Sequence, residues 1–238
     1  MVHVDGTLVW QSHLRGLSDC QLKLDGRGLK FLSPLDLFER AGEQLAKLPA
    51  GLTFLGSGSF HHLSYHLIKR HADQPITLIV FDSHADFYPA PEGYVSCGSW
   101  LAKVMDLAAV QKVILIGKAE GIPLSPKVLP VSYPPDLSLA GLIPVRRIYV
   151  SIDKDVLKEA ATDWGRGPIP LPYLLGCLNW LRHRYELVGA DVCGELVPRS
   201  IWPDANELRQ IKINERINLG IYRALVGLKK KSARRLSA

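Results

Sequence analysis

The feature that most constrains the fold is the alternation of apolar runs with helix-like stretches. The apolar runs occupy residues 51–56, 76–81, 112–117, 147–152 and 186–194. Most of them are continuous, which is typical of strands covered on both faces. The helix-like stretches cover residues 33–48, 61–71, 98–109 and 171–185, and a last long one begins at Pro203 and Asp204. This order predicts an α/β fold with a mainly parallel central sheet and helices on both faces.

Length and charge together favour one globular domain with a short tail. We predict a single domain over residues 1–228, with a proline-rich loop at 123–144. Residues 229–238 hold five basic residues and no acidic one, which predicts a disordered tail. Without that tail, 24 basic residues face 23 acidic ones, so the formal charge of +6 falls to about +1. A body this close to neutral does not predict a nucleic-acid partner.

The sequence also predicts a cytoplasmic location. No run of about 18 apolar residues predicts a membrane span, and the N-terminus lacks the basic-then-apolar layout of a secretion signal. The four cysteines have no paired spacing, which is typical of reduced thiols in a cytoplasm. They are Cys20, Cys97, Cys177 and Cys193.

Two acidic segments follow two of the predicted strands. The run at 76–81 leads into Asp82, His84 and Asp86, and the run at 147–152 leads into Asp153 and Asp155. Residues two apart on a strand point to the same side, and ligand sites in parallel sheets lie at the carboxyl ends of strands. Four carboxylates brought together would repel each other unless cations lay among them. Oxygen ligands with a minority of imidazole suit a metal such as Mn²⁺, so we predict a metal centre here.

Two further segments place chemistry at the same edge of the sheet. The turn after residues 51–56 leads into a helix that opens with His61 and His62, either of which is able to supply a nitrogen ligand. His62 and His66 share a helix face, but we expect His66 to lie on an ordinary helix surface. The strand at 186–194 ends beside Glu195, which is predicted either to pair on the surface or to receive a cationic group.

These four segments, in this order, resemble the arginase–agmatinase family of ureohydrolases. The family pattern of a GGDHS-type segment, DAHxD, SxDxD and a glutamate before a proline corresponds here to GSFHHLS, DSHAD, SIDKD and GELVP. The resemblance implies a three-layer α/β/α sandwich, two Mn²⁺ ions per chain and a small cationic guanidino substrate. It also implies that Asp82 and Asp153 bridge the two ions. The remaining ligands would be His61, Asp86, His84 and Asp155, with His62 as the alternative to His61.

The implied activity is the hydrolysis of a C–N bond in a guanidino or amidino compound. In such enzymes a hydroxide bridging the metals attacks the carbon, Glu195 would receive the guanidinium group, and Asp86 would relay a proton to the departing amine. The family aspartate of GGDHS is missing, and VLKEA replaces the usual continuation after SIDKD. Two alternatives therefore stay open: a deacetylase-like amide hydrolase using Asp82, His84 and Asp153, and a non-catalytic metal-binding relative.

Two further points complete the prediction. Cys97 lies where some arginases have a histidine, and we expect a structural thiol there rather than a nucleophile. The family resemblance also implies a homo-oligomer.

Overall fold

The protein is described from a computed structural model that covers residues 1–117, 121–123, 125–133 and 139–226. The strands are β1 (Val2–His3), β2 (Leu22–Lys23), β3 (Leu32–Pro34), β4 (Leu52–Phe54), β5 (Ile76–Asp82), β6 (Tyr94–Ser96), β7 (Val110–Gly117), β8 (Val128–Ser132), β9 (Arg147–Asp153) and β10 (Glu186–Cys193). The α-helices are α1 (Ser12–Gly16), α2 (Leu35–Leu45), α3 (Ser64–Lys69), α4 (Trp100–Met105), α5 (Leu171–Arg184) and α6 (Ala205–Val226). Short 3₁₀ helices lie at Thr7–Trp10, Gly58–Leu63, Leu139–Leu142 and Lys154–Val156.

Six strands form the central sheet, in the order β4-β10-β9-β5-β7-β8. Every neighbouring pair in it is parallel. β5 and β9 lie at the centre, which explains why their sequences are continuous apolar runs. Two small sheets lie outside it, β1 with β2 and the antiparallel pair of β3 and β6. The predicted α/β fold is confirmed.

The helices form a layer on each face of the sheet. The apolar residues of α2, α3 and α4 pack against one face and those of α5 and α6 against the other. Alternate residues of each strand divide between the two faces, as the pleat requires. In β5, Leu78 and Val80 belong to the α2–α4 side, whereas Ile79 and Phe81 belong to the α5–α6 side. The three-layer α/β/α sandwich is therefore also confirmed.

Most predicted elements are found, and one prediction is wrong. All five predicted strands and all five predicted helices are present, with helix ends trimmed by a few residues. The segment 123–144, however, contains strand β8 instead of being loop throughout. β8 carries Pro130 and is an edge strand, where a missing backbone N–H is tolerated.

The structure does not test two of the predictions made from the sequence. The basic tail, 229–238, lies outside the described residues, and the single domain over 1–228 stays a prediction. Within the described part of the chain, no helix is both long and apolar enough to cross a membrane.

Candidate metal centre

Three neighbouring strands deliver side chains to one edge of the sheet. Asp82 ends β5, Asp153 ends β9 and Cys193 ends β10. β9 lies between the other two, and its Asp153 is in register with Cys193. The pleat turns Asp82 to the same side as Leu78 and Val80, towards α2–α4. The carboxyl ends of the central strands therefore meet under the helices of this layer, as the sequence predicts.

The segment after β5 turns sharply to bring Asp86 back to the cluster. The His84 N–H donates to Asp82 Oδ1 at 2.7 Å, which tightens the turn. Asp86 has φ of 53°, in the left-handed region that side chains rarely adopt. Trp100 Nε1 at the start of α4 donates to Asp86 Oδ2 at 2.6 Å and holds the carboxylate in place. Backbone strain of this kind is typical of functional sites.

Two groups of possible ligands share Asp82. In the first group, His61 Nδ1 lies 3.2 Å from Asp82 Oδ2, 3.4 Å from Asp86 Oδ2 and 3.7 Å from Asp153 Oδ2. In the second, His84 Nδ1 lies 2.7 Å from Asp155 Oδ2 and 3.6 Å from Asp82 Oδ1. His61, Asp82 and Asp86 are compact enough for one metal ion, as are Asp82, His84 and Asp155, and Asp153 forms a third compact set with His61 and Cys193. The two oxygens of Asp82 thus face different groups, which is the geometry of a bridging carboxylate.

A hydrogen-bonded chain behind His61 fixes the tautomer of its ring. Ser151 Oγ donates to Asp191 Oδ1 at 2.9 Å, and His61 Nε2 lies 3.0 Å from the same hydroxyl. Because the hydroxyl proton goes to Asp191, Nε2–H is the donor to Ser151, and Nδ1 turns its lone pair towards the carboxylates. Ligating histidines are commonly oriented by this kind of support. A lone pair facing three carboxylate oxygens requires a proton or a cation between them.

The carboxylates of the cluster carry an unfavourable excess of negative charge. Burial and the neighbouring Asp82 raise the pKa of Asp86 to about 7 and also raise the pKa of Asp153. Burial, Asp153 and Asp82 hold the pKa of Asp155 well above its usual range. Burial also acts to raise the pKa of Asp82, but the neighbouring imidazoles of His61 and His84 lower it to about 2.

The histidines show the reverse effect. Burial opposes the charge of His61, yet Cys193, Asp82 and Asp86 bring its pKa well above the usual value. Hydrogen bonds to Asp155 and Asp82 raise the pKa of His84 to about 11. Both rings therefore lie in a strongly negative potential, which attracts cations.

The donor set fits a divalent metal. Asp82 Oδ2 is buried and accepts no hydrogen bond, so a polar atom aimed into the cluster has no protein donor. Carboxylate oxygens and imidazole nitrogens suit hard to borderline ions. Asp153 joins the group of His61, and its predicted second role as a bridge stays a prediction.

Sequence reasoning missed Cys193 as a neighbour of the centre. Its Sγ is fully buried, donates to Asp153 Oδ2 at 3.3 Å and lies within ligand distance of His61 and Asp153. The available signal was its position as the last residue of an apolar strand, in register with Asp153.

The other candidate residues lie away from the cluster. The structure brings His61, not His62, to the carboxylates, because the His62 ring stacks on Phe38 of α2 instead. Burial lowers the pKa of His62 to about 3 and that of His66 to about 4, so both rings are neutral parts of the packing. Cys97 lines the cavity above the cluster, but burial and then Asp86 raise its pKa to about 12. Its thiol is therefore protonated, which disfavours a nucleophilic role.

Glu195 does not lie where a substrate cation would reach it, and this corrects its predicted role. The carboxylate is buried and pairs with the ammonium of Lys154. Three amide donors also reach it: Gln11 Nε2 at 2.8 Å, Asn214 Nδ2 at 3.2 Å and Asn218 Nδ2 at 2.6 Å. Lys154 lies between Asp153 and Asp155 in the chain, so its side chain leaves the strand end on the opposite side. No local sequence pattern indicates the pairing of Glu195 with Lys154.

A cavity of about 310 Å³ opens above the cluster. His61, Asp82, His84, Asp86 and Asp153 form its polar floor. The cavity walls come from the segment before β3, the loop around β6 and the loop that follows β9. Ligands of small-molecule size suit a cavity of this volume.

Comparison with known proteins agrees with this architecture. An uncharacterized protein of Thermotoga maritima is 38% identical over 180 residues, which cover 74% of this chain and 68% of that protein. No family model matches the sequence. The structure is similar to arginase from Bacillus cereus, with a TM-score of 0.61 and 14% identity over 95% of this chain and 92% of that chain.

Two other solved structures show the same fold. A hypothetical agmatinase from Burkholderia thailandensis has a TM-score of 0.59 and 19% identity, covering 86% of this chain and 69% of that chain. The proclavaminate amidino hydrolase of Streptomyces clavuligerus has a TM-score of 0.59 and 20% identity, covering 81% and 70%.

Proposed function

The chain belongs to the family of the Thermotoga maritima protein and is a member of the arginase–agmatinase ureohydrolase fold, and from this premise we propose that it is a metal-dependent hydrolase of C–N bonds. The substrate would be a guanidino or amidino compound. The observation that carries the proposal is the bridging position of Asp82, whose two oxygens face two separate ligand groups. Two-metal hydrolases hold their ions about 3.5–4 Å apart, and a carboxylate shared by both ions suits that spacing.

The residues that would hold the metals divide between the two groups. One ion would be held by His61, Asp82, Asp86 and Asp153, and the other by Asp82, His84 and Asp155. When bound, such ions lower the pKa of water and so supply a nucleophile at neutral pH. Mn²⁺ is the proposed metal because oxygen donors dominate the set.

The chain's own residues orient the reactants and handle the protons. Asp86 lies on the cavity floor, and Trp100 holds its carboxylate through Oδ2. This carboxylate would accept a proton and deliver it to the departing nitrogen. Ser151 and Asp191 keep the His61 Nδ1 lone pair directed at the cluster. The cavity walls exclude bulk water from the carboxylates, which strengthens every electrostatic interaction there.

Metal content and product release test the proposal together. The purified chain is reconstituted with Mn²⁺, its metal is measured by elemental analysis, and urea and amine release are followed with arginine, agmatine, guanidinobutyrate and simple alkylguanidines. We expect about two ions per chain, by the logic of two-metal sites, and urea from at least one guanidine. Asp82→Asn should lose both the metal and the activity.

A matched control separates the site from a general effect of charge. Asp36→Asn removes a carboxylate that is exposed on α2 and should change neither the metal content nor the activity. Absence of bound metal in every preparation, or equal metal in wild type and Asp82→Asn, contradicts the proposal.

A second candidate is an amide hydrolase. The observation that favours it is the pairing of Glu195 with Lys154, which leaves that carboxylate unable to hold a guanidinium group. An uncharged amide needs no such partner. Release of acetate from N-acetylated amines, without urea from any guanidine, would select this alternative.

A further inference from the structure

Aromatic and apolar side chains surround the mouth of the cavity above the cluster. Phe31, Leu32, Tyr88 and Trp164 line it, and each exposes more than a third of its surface. Exposed apolar residues are ordinary when they are scattered, but these four meet at the entrance of one cavity. We refer to Phe31, Leu32, Tyr88 and Trp164 as the apolar rim.

Phe31 occupies the rim at the cost of a strained backbone. Its φ of 66° is rarely adopted by an aromatic residue. Two hydrogen bonds hold the strained conformation: the Phe31 N–H donates to the Ser59 carbonyl at 3.0 Å, and the Cys97 N–H donates to the Phe31 carbonyl at 2.9 Å. A strained residue that leaves an aromatic ring about half exposed suggests a ligand contact rather than a folding need.

Trp164 is placed directly over the metal centre. Its ring meets Phe31 edge to face at 5.7 Å and His84 at 5.6 Å. Gly58 separates it from the cluster, since a Cβ there would lie 2.6 Å from Asp153 Oδ2 and 3.0 Å from the indole. The backbone N–H of Trp164 donates to Thr162 Oγ1 at 3.2 Å, which fixes the loop. A ligand in the cavity therefore lies beside Trp164 as well as the cluster.

Among the residues that the structure describes, the cavity wall offers no charge to a substrate. Apart from the proposed metal ligands, its described lining is Phe31, Leu32, Gly58, Tyr88, Ser96, Cys97, Gly98 and Trp164, none of which is charged. Lys30 Nζ already lies 4.9 Å from the centre of the Phe31 ring, so that ring is not free to hold a second cation. A substrate arm ending in an ammonium would lose its water here without gaining a partner among the described residues of the wall.

We propose that the apolar rim is a specificity subsite for the substituent of the substrate, and that this substituent is an uncharged alkyl or aryl group. This inference rests on the proposed C–N hydrolase function. In the reaction, water forms a new C–O bond at the guanidino carbon, and the C–N bond to the substituted nitrogen breaks. That nitrogen takes up a proton and leaves as an alkyl- or arylalkylamine, and urea is the other product.

The test compares substrates that differ only in the substituent. With the Mn²⁺-loaded full chain, urea release is measured for methyl-, butyl- and benzylguanidine and for agmatine and arginine. We expect kcat/KM to rise about fourfold per methylene group, the factor that corresponds to burying a CH₂. Butylguanidine should exceed agmatine, which adds a terminal ammonium, at least tenfold.

Variants of the rim separate this role from general stability. Trp164→Ala should lower kcat/KM for benzylguanidine relative to methylguanidine about tenfold or more, and Phe31→Asn, which tolerates positive φ, should act in the same direction. Trp202→Ala removes a tryptophan that is 78% exposed and lies outside the cavity lining, so the substituent preference should persist. A best substrate with a charged arm, or a preference unchanged in Trp164→Ala, overturns the subsite.

Calorimetric binding keeps this inference distinct from the proposed function. The probes are methylguanidine and benzylguanidine, titrated into the Mn²⁺-loaded chain and into Trp164→Ala. Tighter binding of benzylguanidine that depends on Trp164, without urea from any guanidine, supports the subsite and contradicts the proposed reaction. Urea release with equal binding of both probes supports the reaction and overturns the subsite.

Discussion

The buried pair of Lys154 and Glu195 can be broken to test the corrected role of Glu195. Lys154→Met keeps an unbranched chain of similar length and removes only the ammonium. Removing one partner of a buried ion pair typically costs about 3–5 kcal/mol, because the other charge is left buried. Gln11, Asn214 and Asn218 still donate to Glu195, which places the cost at the lower end. We expect the free energy of unfolding to fall by about 3 kcal/mol.

Removing the carboxylate of Glu195 instead has a maximum cost in stability, because Lys154 is able to lose its proton. In Glu195→Gln the ammonium of Lys154 is buried without its partner, and burial already lowers the pKa of this lysine. The lysine escapes the penalty by losing its proton, and from an ordinary pKa of 10.5 this costs at most about 5 kcal/mol at pH 7. The double variant leaves no unpaired charge and should lose only about 1 kcal/mol.

Urea unfolding of the four proteins, followed by circular dichroism, completes a double-mutant cycle. The slopes against denaturant must agree among the variants before the free energies are compared. We expect the sum of the losses of unfolding free energy in the two single variants to exceed the loss in the double variant by at least about 3 kcal/mol, which is the coupling energy of the pair. Additive losses would mean that the two side chains do not interact. Glu195 would then be available to a substrate cation, as the family resemblance implies.

Three further predictions follow from named contacts. Gly42→Ala should destabilise the fold by about 1–3 kcal/mol, because its Cβ would lie 2.3 Å from the His66 ring. This loss is expected although alanine favours helices more than glycine does. In thermal unfolding, the double variant Gly42→Ala/His66→Ala should recover most of the loss. The His66 pKa of about 4 lies below its unfolded value of 6.5, so the unfolded state binds the extra proton, and stability should fall by up to about 3 kcal/mol from pH 6.5 to 4. His66→Phe should lack this part of the pH dependence of unfolding. Mn²⁺ at a hundred times its Kd should raise the free energy of unfolding by about 2.7 kcal/mol in wild type, as measured by unfolding with and without EDTA, but not in Asp82→Asn.

The strand tips illustrate what the sequence predicts well. A continuous apolar run fixes the face on which each later residue falls, because the pleat has a period of two. This local rule is enough to predict that Asp82 and Asp153 lie together, whereas Asp86 reaches them through a turn with positive φ. The same rule predicts that Lys154 lies on the other face.

Contacts made across layers illustrate what the sequence cannot predict. Glu195 meets Lys154, Asn214 and Asn218 only because α6 packs below the sheet, and no local pattern encodes that packing. The choice between His61 and His62 had the same origin, because it depends on the rotation of a 3₁₀ turn against α2. The ring of Phe31 likewise reaches the apolar rim because its backbone adopts a positive φ, which no local sequence pattern predicts.

The charge count at the strand tips bears on the number of metal ions. Asp82, Asp86, Asp153 and Asp155 would carry four negative charges, and burial first and repulsion between the carboxylates second raise the pKa values of the last three. Lys154, which lies between Asp153 and Asp155 in the chain, is engaged with Glu195 and so does not neutralise them. Two neutral imidazoles with one divalent ion would leave a net charge of −2, whereas two divalent ions balance the four carboxylates. Because unpaired buried charge is costly, the count favours the proposed two ions, and a measured stoichiometry of one would require two protons shared among these carboxyls and the imidazoles of His61 and His84.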